Sequence, residues 1–280
     1  MNSPSRQWCV AVLVLGVGAS FAESASATPI SFSASGPDAT SIQGAVDAFR
    51  TALGGPNNGN AAGTQPSGRR EISWDGGGAG ALATTFPSPM TTFTNRGALI
   101  TTPGTGFEIS GQPIPEFGEI NATYPSIFTT FSSPRLFAPL DSNLLDVQFL
   151  VPGTTQAAAT SGFGAVFADV DLVGATSITF FDAANNSLGT FSVPTSNNGL
   201  SFLGVSFTDP NPVVTRVSIV VGNTILGTTD APGFDVVVMD DFIYGEPSAV
   251  PQLVPEPETL LLLGAGFLAA WGLHRRSQSR

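Results

Sequence analysis

Reactive side chains are scarce in this chain of 280 residues, which has no lysine, one cysteine (Cys9) and one histidine (His274). Both single residues lie in apolar end segments, so the body between them lacks thiolate, imidazole and amine groups. These absences exclude Ser-His-Asp and Cys-His triads, Schiff-base chemistry and metal sites built from histidine or cysteine. Carboxylates alone remain for acid–base work. We therefore expect a protein that is not an enzyme, with a carboxylate-based glycan hydrolase or lyase as the least favoured alternative.

Charge is also scarce, because charged residues make up 11% of the chain, against about a quarter in typical proteins. The formal net charge is −11. A strongly acidic surface repels phosphate backbones, so we expect no nucleic-acid partner. The body contains about three times as many carboxylates as arginines, and its arginines are Arg50, Arg69, Arg70, Arg96, Arg135 and Arg216.

The N-terminus has the pattern of a secretory signal peptide. Arg6 precedes an apolar region from Cys9 to Gly18, and small residues then lead to Ala25-Ser26-Ala27. An A-x-A-like sequence after such a region is typical of a cleavage site, so we expect residues 1–27 to be removed. Cys9 precedes most of the apolar run, which argues against a lipoprotein anchor.

The C-terminus, residues 251–280, has three consecutive parts. Val254-Pro255-Glu256-Pro257 is followed by an apolar run from Leu260 to Leu273 and then by His274-Arg275-Arg276. We predict a membrane-spanning segment at about residues 259–273, although about 14 apolar residues span only about 21 Å of a bilayer core of about 30 Å. Arg275 and Arg276 would stay on the cytoplasmic side. The alternative, a buried terminal core helix, rarely ends in such a charge step.

This tail resembles the PEP-CTERM sorting signal of exported bacterial proteins, through Pro255, Glu256, Pro257, the apolar run and the arginine end. The resemblance implies processing by an exosortase-type membrane enzyme, with cleavage near the motif. It also implies a precursor anchored in the inner membrane, presumed to be that of a Gram-negative bacterium, and delivery to the cell surface or extracellular matrix. The resemblance says nothing about the activity of the body.

One helix is predicted near the start of the body, which we take to be residues 28–250. Ile42, Val46, Phe49 and Leu53 recur at helical spacing. Asp38 or Ser41 can cap the start, and Gly54-Gly55-Pro56 ends the pattern.

Short strands are predicted for the rest of the body, most clearly over residues 160–245. Frequent prolines between Pro87 and Pro134 allow only short strands there. Further on, Gly, Pro and Asn separate apolar runs, which predicts an all-β fold: an antiparallel β-sandwich or jelly roll. Phe163 to Phe167 and Val236 to Met239 are continuously apolar and suit central strands covered on both faces. The predicted strands are Phe163–Val173, Ile178–Phe181, Leu188–Val193, Phe202–Phe207, Val213–Val221 and Phe234–Tyr244.

Parts of the body resemble the bodies of other proteins that carry this tail. The resemblance rests on Gly162–Asp171, Val238–Tyr244, Gly44–Arg50 and Arg69–Gly76. It implies an exported bacterial surface protein whose biochemical activity is generally unassigned, and it provides no catalytic residues.

Asp169 and Asp171 are the candidate metal ligands. They lie two apart on a predicted strand, so both carboxylates should point to one face. Paired carboxylates repel unless a cation lies between them, and calcium prefers clustered oxygen ligands. Asp240, near the end of the last strand, could add one ligand, but Asp241 could not share its face. The alternative is a solvated acidic strand edge with no cofactor.

Trp74 and Asp75 are the candidate ligand-binding residues. Trp74 is the only tryptophan of the body and could stack on a sugar ring while Asp75 and Arg70 bind hydroxyl groups. The alternative, which we favour, is an inward tryptophan with an arginine–carboxylate pair at the rim of the core.

We therefore predict an exported, structural or adhesive protein of the cell surface or extracellular matrix, with extracellular polysaccharide as a candidate partner. A calcium-stabilised carbohydrate-binding module is the alternative function.

Overall fold

The computed structural model describes residues 28–208 and 212–250. They form two antiparallel β-sheets packed face to face, with one helix on the outer face of the larger sheet. The predicted all-β sandwich with a helix near its start is thereby confirmed. The elements in chain order are β1 (Pro29–Gly36), α1 (Ala39–Leu53), β2 (Arg69–Ile72), β3 (Thr84–Pro87), β4 (Ala98–Thr101), β5 (Gly106–Ile109), β6 (Phe137–Leu140), β7 (Leu144–Phe149), β8 (Ala158–Ala159), β9 (Gly162–Val170), β10 (Ser177–Phe181), β11 (Ser187–Ser192), β12 (Ser196–Phe207), β13 (Arg216–Val220), β14 (Val238–Gly245) and β15 (Ser248–Ala249).

The predicted signal peptide and sorting tail lie outside the described residues. That includes the cleavage residues Ala25 and Ala27, the motif Val254-Pro255-Glu256-Pro257, and Arg275 and Arg276. Across residues 28–208 and 212–250, no helix has the length and apolar character needed to cross a membrane.

The strand order explains which sequence runs are continuously apolar. The larger sheet has the order β1-β12-β9-β14-β6-β5-β3, with β2 also paired to β14, and the smaller has the order β11-β10-β13-β7-β4. Strands β8 and β15 pair separately. Every residue of β9 and of β14 is buried, because both strands are central in their sheet and covered on both faces.

The main core fills the space between the two sheets. Alternate residues of facing strands supply it, as expected for a β-sandwich. Phe149 of β7 lies 6.2 Å from Phe163 of β9 between ring centroids, and Phe180 of β10 lies 5.5 Å from Phe207 of β12. Aromatic contacts across the gap therefore join the sheets at both ends of the smaller one.

A second core lies between helix α1 and the outer face of the larger sheet. Asp38 caps the helix, since its Oδ1 accepts a hydrogen bond from the Ser41 N–H at 3.0 Å. The side chain of Phe49 fits against the glycines of two strands, and a Cβ at Gly204 would lie 2.7 Å from Phe49 Cγ. The loop 117–131 covers the rest of this face, with Tyr124 fully buried in it. The predicted helix and its cap are confirmed.

Strand β9 ends earlier than the sequence predicts. The expected strand ran to Val173, but the ladder stops at Val170, and Val173 is 91% exposed. The reason is Asp169, whose φ of 67° is left-handed and turns the chain out of the sheet. This early end places Asp171 on a loop, and the first candidate site is built there.

Candidate functional sites

The end of strand β9 holds a buried carboxylate in an unusual backbone position. Asp169 is 1% exposed, and its Oδ1 accepts a hydrogen bond from the Asn198 N–H at 2.6 Å. Asn198 also has a left-handed φ, of 50°, and the β9–β12 register shifts between Ser196 and Leu200. A bulge next to a left-handed aspartate redirects side chains from the normal alternation. Asp169 therefore points toward the loops at this end of the sheet.

Three carboxylates meet at this point. One oxygen each from Asp169, Asp171 and Asp230 lies within 4.8 Å of the other two. Asp235 holds the backbone next to this group in place, because its carboxylate accepts hydrogen bonds from the Asp171 and Leu172 N–H groups, each at 3.1 Å. The structure thus brings together the two aspartates singled out in the sequence and adds Asp230 from the β13–β14 loop. We call Asp169, Asp171, Asp230 and Asp235 the β9-end cluster.

The pKa values in this cluster are all shifted upward. Burial raises the pKa of Asp169 to about 7, and the charges of Asp171, Asp230 and Asp235 act in the same direction. The hydrogen bond that Asp169 accepts from the Asn198 N–H acts in the opposite direction. The pKa values of Asp171, Asp230 and Asp235 are also raised, in each case mainly by burial. Neighbouring negative charges disfavour ionisation. The group therefore favours a bound proton or cation.

Asp240, the third ligand proposed from the sequence, lies in a different cluster, so the expectation that it joins Asp169 and Asp171 is wrong, and Asp230 lies beside them instead. Asp240 Oδ2 accepts the N–H groups of Phe131 at 2.7 Å and Ser132 at 3.2 Å. The expectation that Asp240 and Asp241 face opposite ways is also wrong. The β14–β9 register shifts between Met239 and Phe242, and this bulge turns both carboxylates toward the same hydroxyl group.

That hydroxyl belongs to Ser132, and three carboxylates surround it. Ser132 Oγ lies 2.6 Å from Asp241 Oδ1, 3.0 Å from Asp240 Oδ1 and 2.9 Å from Asp75 Oδ2. One hydroxyl has a single proton to donate, so Ser132 cannot donate to all three carboxylates at once. Burial raises the pKa of Asp240 well above its ordinary value, and the charge of Asp241 raises it further. We call Ser132, Asp75, Asp240 and Asp241 the Ser132 cluster.

Arg50 places a positive charge beside the Ser132 cluster. Its Nη2 lies 2.8 Å from Glu71 Oε2 and 3.6 Å from Asp241 Oδ2. The pKa of Asp241 is raised mainly by burial, while its hydrogen bonds and the Arg50 charge act in the opposite direction. The Ser132 cluster therefore has a complete set of donors and a counter-ion from the protein itself.

Trp74 is a core residue, which corrects its assignment as a sugar-binding residue. Its side chain is 3% exposed and stacks on Phe137, with ring centroids 3.8 Å apart and planes at 1°. The indole N–H donates to the carbonyl of Asp240 at 3.0 Å. A sugar needs a free ring face, and Trp74 has none.

The polar neighbours of Trp74 also have structural partners. Asp75 Oδ1 accepts the Arg135 N–H at 3.1 Å, so this carboxylate is not free for a ligand. Arg70 is fully buried and pairs with Glu246 through Nε and Nη2 at 2.9 and 2.7 Å. Its remaining donors bind carbonyls of the loop 59–63 and of Asn95. Arg70 holds loops together, as the alternative interpretation of this region expected.

Three residues of these clusters, Asp230, Asp235 and Ser132, were absent from the sequence-based candidates. Asp230 lies in the loop between β13 and β14, far along the chain from Asp169, and no spacing rule links them. Ser132 lies in a serine- and proline-rich loop that resembles an ordinary turn. The available signal was compositional: Asp230 and Asp235 are the acids nearest before the last apolar strand.

Comparison with solved structures finds weak similarities, among them the two that follow. The enzymatically active domain of tailspike protein 4 of bacteriophage CBA120 aligns at 12% identity and a TM-score of 0.30, over 54% of this chain and 19% of its own. A variant of a family 29 carbohydrate-binding module aligns at 10% identity and a TM-score of 0.22, over 46% of this chain and 80% of its own. The chain thus spans about a fifth of the tailspike domain. No curated protein matches it.

The family comparison identifies the C-terminus. Residues 253–276 match the model of the PEP-CTERM protein-sorting motif, which confirms the resemblance seen in the tail. The chain is therefore an exported protein with a C-terminal sorting signal. More particularly, that signal is a PEP-CTERM sorting motif, and the motif implies processing by an exosortase-type enzyme.

Proposed function

We propose that this protein is a non-enzymatic, structural or adhesive component of the cell surface or extracellular polysaccharide matrix of a Gram-negative bacterium. Its signal peptide directs export, and its C-terminal segment holds the precursor in the inner membrane until processing. The observation that carries this proposal is the sorting motif at residues 253–276. The signal-peptide pattern that ends at Ala27 agrees with it.

The polar interior of the body supports a structural role. Arg70 and Arg135 are both buried, and their guanidinium groups bind backbone carbonyls of several loops. A guanidinium with all its donors occupied rigidifies the loops around it. Arg70 therefore fastens the loop 59–63, and Arg135 fastens loops between the short strands of residues 69–140.

The Ser132 cluster offers little to a glycan substrate. Asp240 is fully buried and Asp241 is 4% exposed. In a glycosidase, two carboxyl groups must flank a bound glycosidic bond. Carboxyl groups this deeply buried do not reach such a bond, and this favours a structural role for them.

A polysaccharide partner would contact the outer face of the smaller sheet, on which no helix packs among residues 28–208 and 212–250. A cleft of about 370 Å³ on this face is lined by Thr101, Thr102, Asp146 and Ser218, among others. Hydroxyl and carboxylate groups bind sugar hydroxyls well. Cosedimentation with matrix polysaccharide should be lost in Ser218→Arg and kept in Ser187→Arg, which adds the same charge on edge strand β11. Equal binding by both variants would argue against this surface.

Mass spectrometry and cell fractionation in the native host test the sorting proposal. The wild-type chain should begin at Thr28, end near the motif and occur in the surface or matrix fraction. A Glu256→Ala, Pro257→Ala double variant should keep its tail and accumulate in the inner membrane. Pro251→Ala, which changes a proline outside the matched residues, is the control and should behave as wild type. An intact, full-length wild-type chain in the cytosol would contradict the proposal.

A further inference from the structure

The β9-end cluster lacks the partners that buried carboxylates normally have. Within residues 28–208 and 212–250, none of its four aspartates forms an ion pair. The buried Oδ2 of Asp169 and the buried Oδ1 of Asp171 accept no hydrogen bond from any described residue. A buried carboxylate oxygen without a partner is costly. Something other than the described protein groups must therefore satisfy these atoms.

The geometry matches one coordination shell. Calcium binds oxygens at 2.3–2.6 Å, so two ligands on opposite sides of the ion lie about 4.6–5.2 Å apart. The three oxygens of Asp169, Asp171 and Asp230 lie within 4.8 Å of one another and fit inside that diameter. Magnesium, at about 2.1 Å, needs a tighter and more regular octahedron. The all-oxygen donor set does not suit zinc or copper.

The cluster is also accessible from solvent. A cleft of about 300 Å³ is lined by Asp171, Asn197, Asp230 and Phe234, among others. An ion could enter here and keep several waters, since calcium takes six to eight oxygen ligands. Asp169 would form the buried side of the site, and Asp171 and Asp230 would form its rim.

We propose that Asp169, Asp171 and Asp230 bind a calcium ion that fastens the loop 221–237 to the end of strand β9. Asp235 is a positioning residue, because it holds the backbone N–H groups of Asp171 and Leu172 in place. The left-handed φ of Asp169 is the backbone strain that aims its carboxylate into the site. This proposal is independent of the polysaccharide contact proposed above.

Calorimetry on the full-length chain in detergent micelles tests the site. The protein is stripped with EDTA, exchanged into metal-free buffer and titrated with calcium chloride into the millimolar range, where extracellular calcium modules bind. Magnesium chloride is titrated in parallel. We expect one calcium per chain, weaker magnesium binding and a Tm that rises with calcium concentration, because only the folded chain holds the three ligands together.

Variants separate binding from folding. Asp171→Asn and Asp230→Asn should each weaken calcium binding at least about tenfold, a loss of about 1.4 kcal/mol. The same changes should raise the Tm in EDTA, because they remove repulsion between carboxylates, and a misfolded variant would not show that gain. Asp47→Asn, an exposed helix residue, is the matched control and should bind as wild type. Absence of calcium binding by the folded wild type, or unchanged binding by Asp230→Asn, would overturn the proposal.

Discussion

Each of the two acidic clusters contains an almost fully buried aspartate, but the two aspartates differ in what surrounds them. Asp169 is 1% exposed and Asp240 is fully buried. Asp240 accepts two backbone N–H groups and contacts the Ser132 hydroxyl, with Arg50 nearby. Asp169 receives one N–H and otherwise faces acids. Burial alone therefore does not identify a metal site. The number of buried carboxylate oxygens without a hydrogen-bond partner is what distinguishes the two clusters.

A bound proton and a bound cation are two alternative ways to neutralise buried carboxylates. In the Ser132 cluster the carboxyl groups lie close enough to share a proton, and the raised pKa of Asp240 favours its protonated form. The β9-end cluster spreads its oxygens over a cleft open to solvent, where a hydrated cation can enter. The four predictions below test this contrast, from the largest expected effect to the smallest.

Trp74→Ala should cause the largest loss, because the indole stacks on Phe137 and donates a hydrogen bond to the backbone carbonyl of Asp240. Removing a buried tryptophan leaves a cavity and should lower the free energy of unfolding by about 3–5 kcal/mol. Urea unfolding followed by circular dichroism measures this. A variant that keeps its stability but loses glycan binding would show that Trp74 stacks on a sugar ring, the alternative considered from the sequence.

Substitutions of Asp240 should separate the effect of losing its hydrogen-bond acceptor from the effect of losing its charge. Asp240→Ala leaves the Phe131 and Ser132 N–H groups without an acceptor, and we expect a loss of about 2–4 kcal/mol. Asp240→Asn keeps an acceptor for these N–H groups and is neutral, as the protonated Asp240 is. It should therefore lower the free energy of unfolding by about 1 kcal/mol or less, which is below the cost of breaking a buried charge pair. The same urea experiment compares both. A loss in Asp240→Asn as large as in Asp240→Ala would mean that Asp240 is ionised.

Local features of the fold were predictable from the sequence, and the bulges were not. Helix α1 follows from its apolar stripe, and the Asp38 cap from a hydrogen bond within one turn. The direction of Asp240 and Asp241 depends on a register shift against β9, which the β14 sequence does not show. The alternation rule therefore failed at the point where the ladder is irregular.

The same limit applies to the β9-end cluster. Asp169 and Asp171 could be paired because they lie two positions apart in the sequence. Asp230 could not, since its place depends on how a long loop returns to the sheet. The left-handed backbone of Asp169 is another tertiary effect, because aspartate tolerates that conformation but does not require it. Sequence reasoning thus found the two aspartates at the end of β9 but missed both the early end of the strand and the loop that completes the cluster.

The pH dependence of stability should separate metal-free from calcium-loaded protein. Below about pH 4, Asp169 is protonated in both folded and unfolded chains. Between about pH 4 and 7 the folded chain keeps a proton that the unfolded chain has lost, since the folded pKa is about 7. In EDTA the free energy of unfolding should therefore fall as pH rises through this window and level off above it.

Asp169→Asn is the control for that pH profile, because other buried acids titrate in the same direction. Its profile in EDTA should be flatter than that of the wild type, and saturating calcium should flatten the wild-type profile as well. Urea unfolding at pH 5 and pH 8, with EDTA or calcium, gives the comparison. Parallel profiles for wild type and variant in EDTA would show that Asp169 does not titrate in this window.

Arg50→Gln should have the smallest effect and tests whether a counter-ion matters beside the Ser132 cluster. Arg50 is partly exposed, so losing its contacts with Glu71 and Asp241 should cost about 1 kcal/mol or less. Arg216→Gln is the matched control, since Arg216 has similar exposure and also pairs with an aspartate, but lies on the smaller sheet. If the Ser132 cluster is neutralised by shared protons, both variants should lose similar stability at pH 5, and only Arg50→Gln should lose more at pH 8. Equal losses at both pH values would show that the buried acids do not need Arg50.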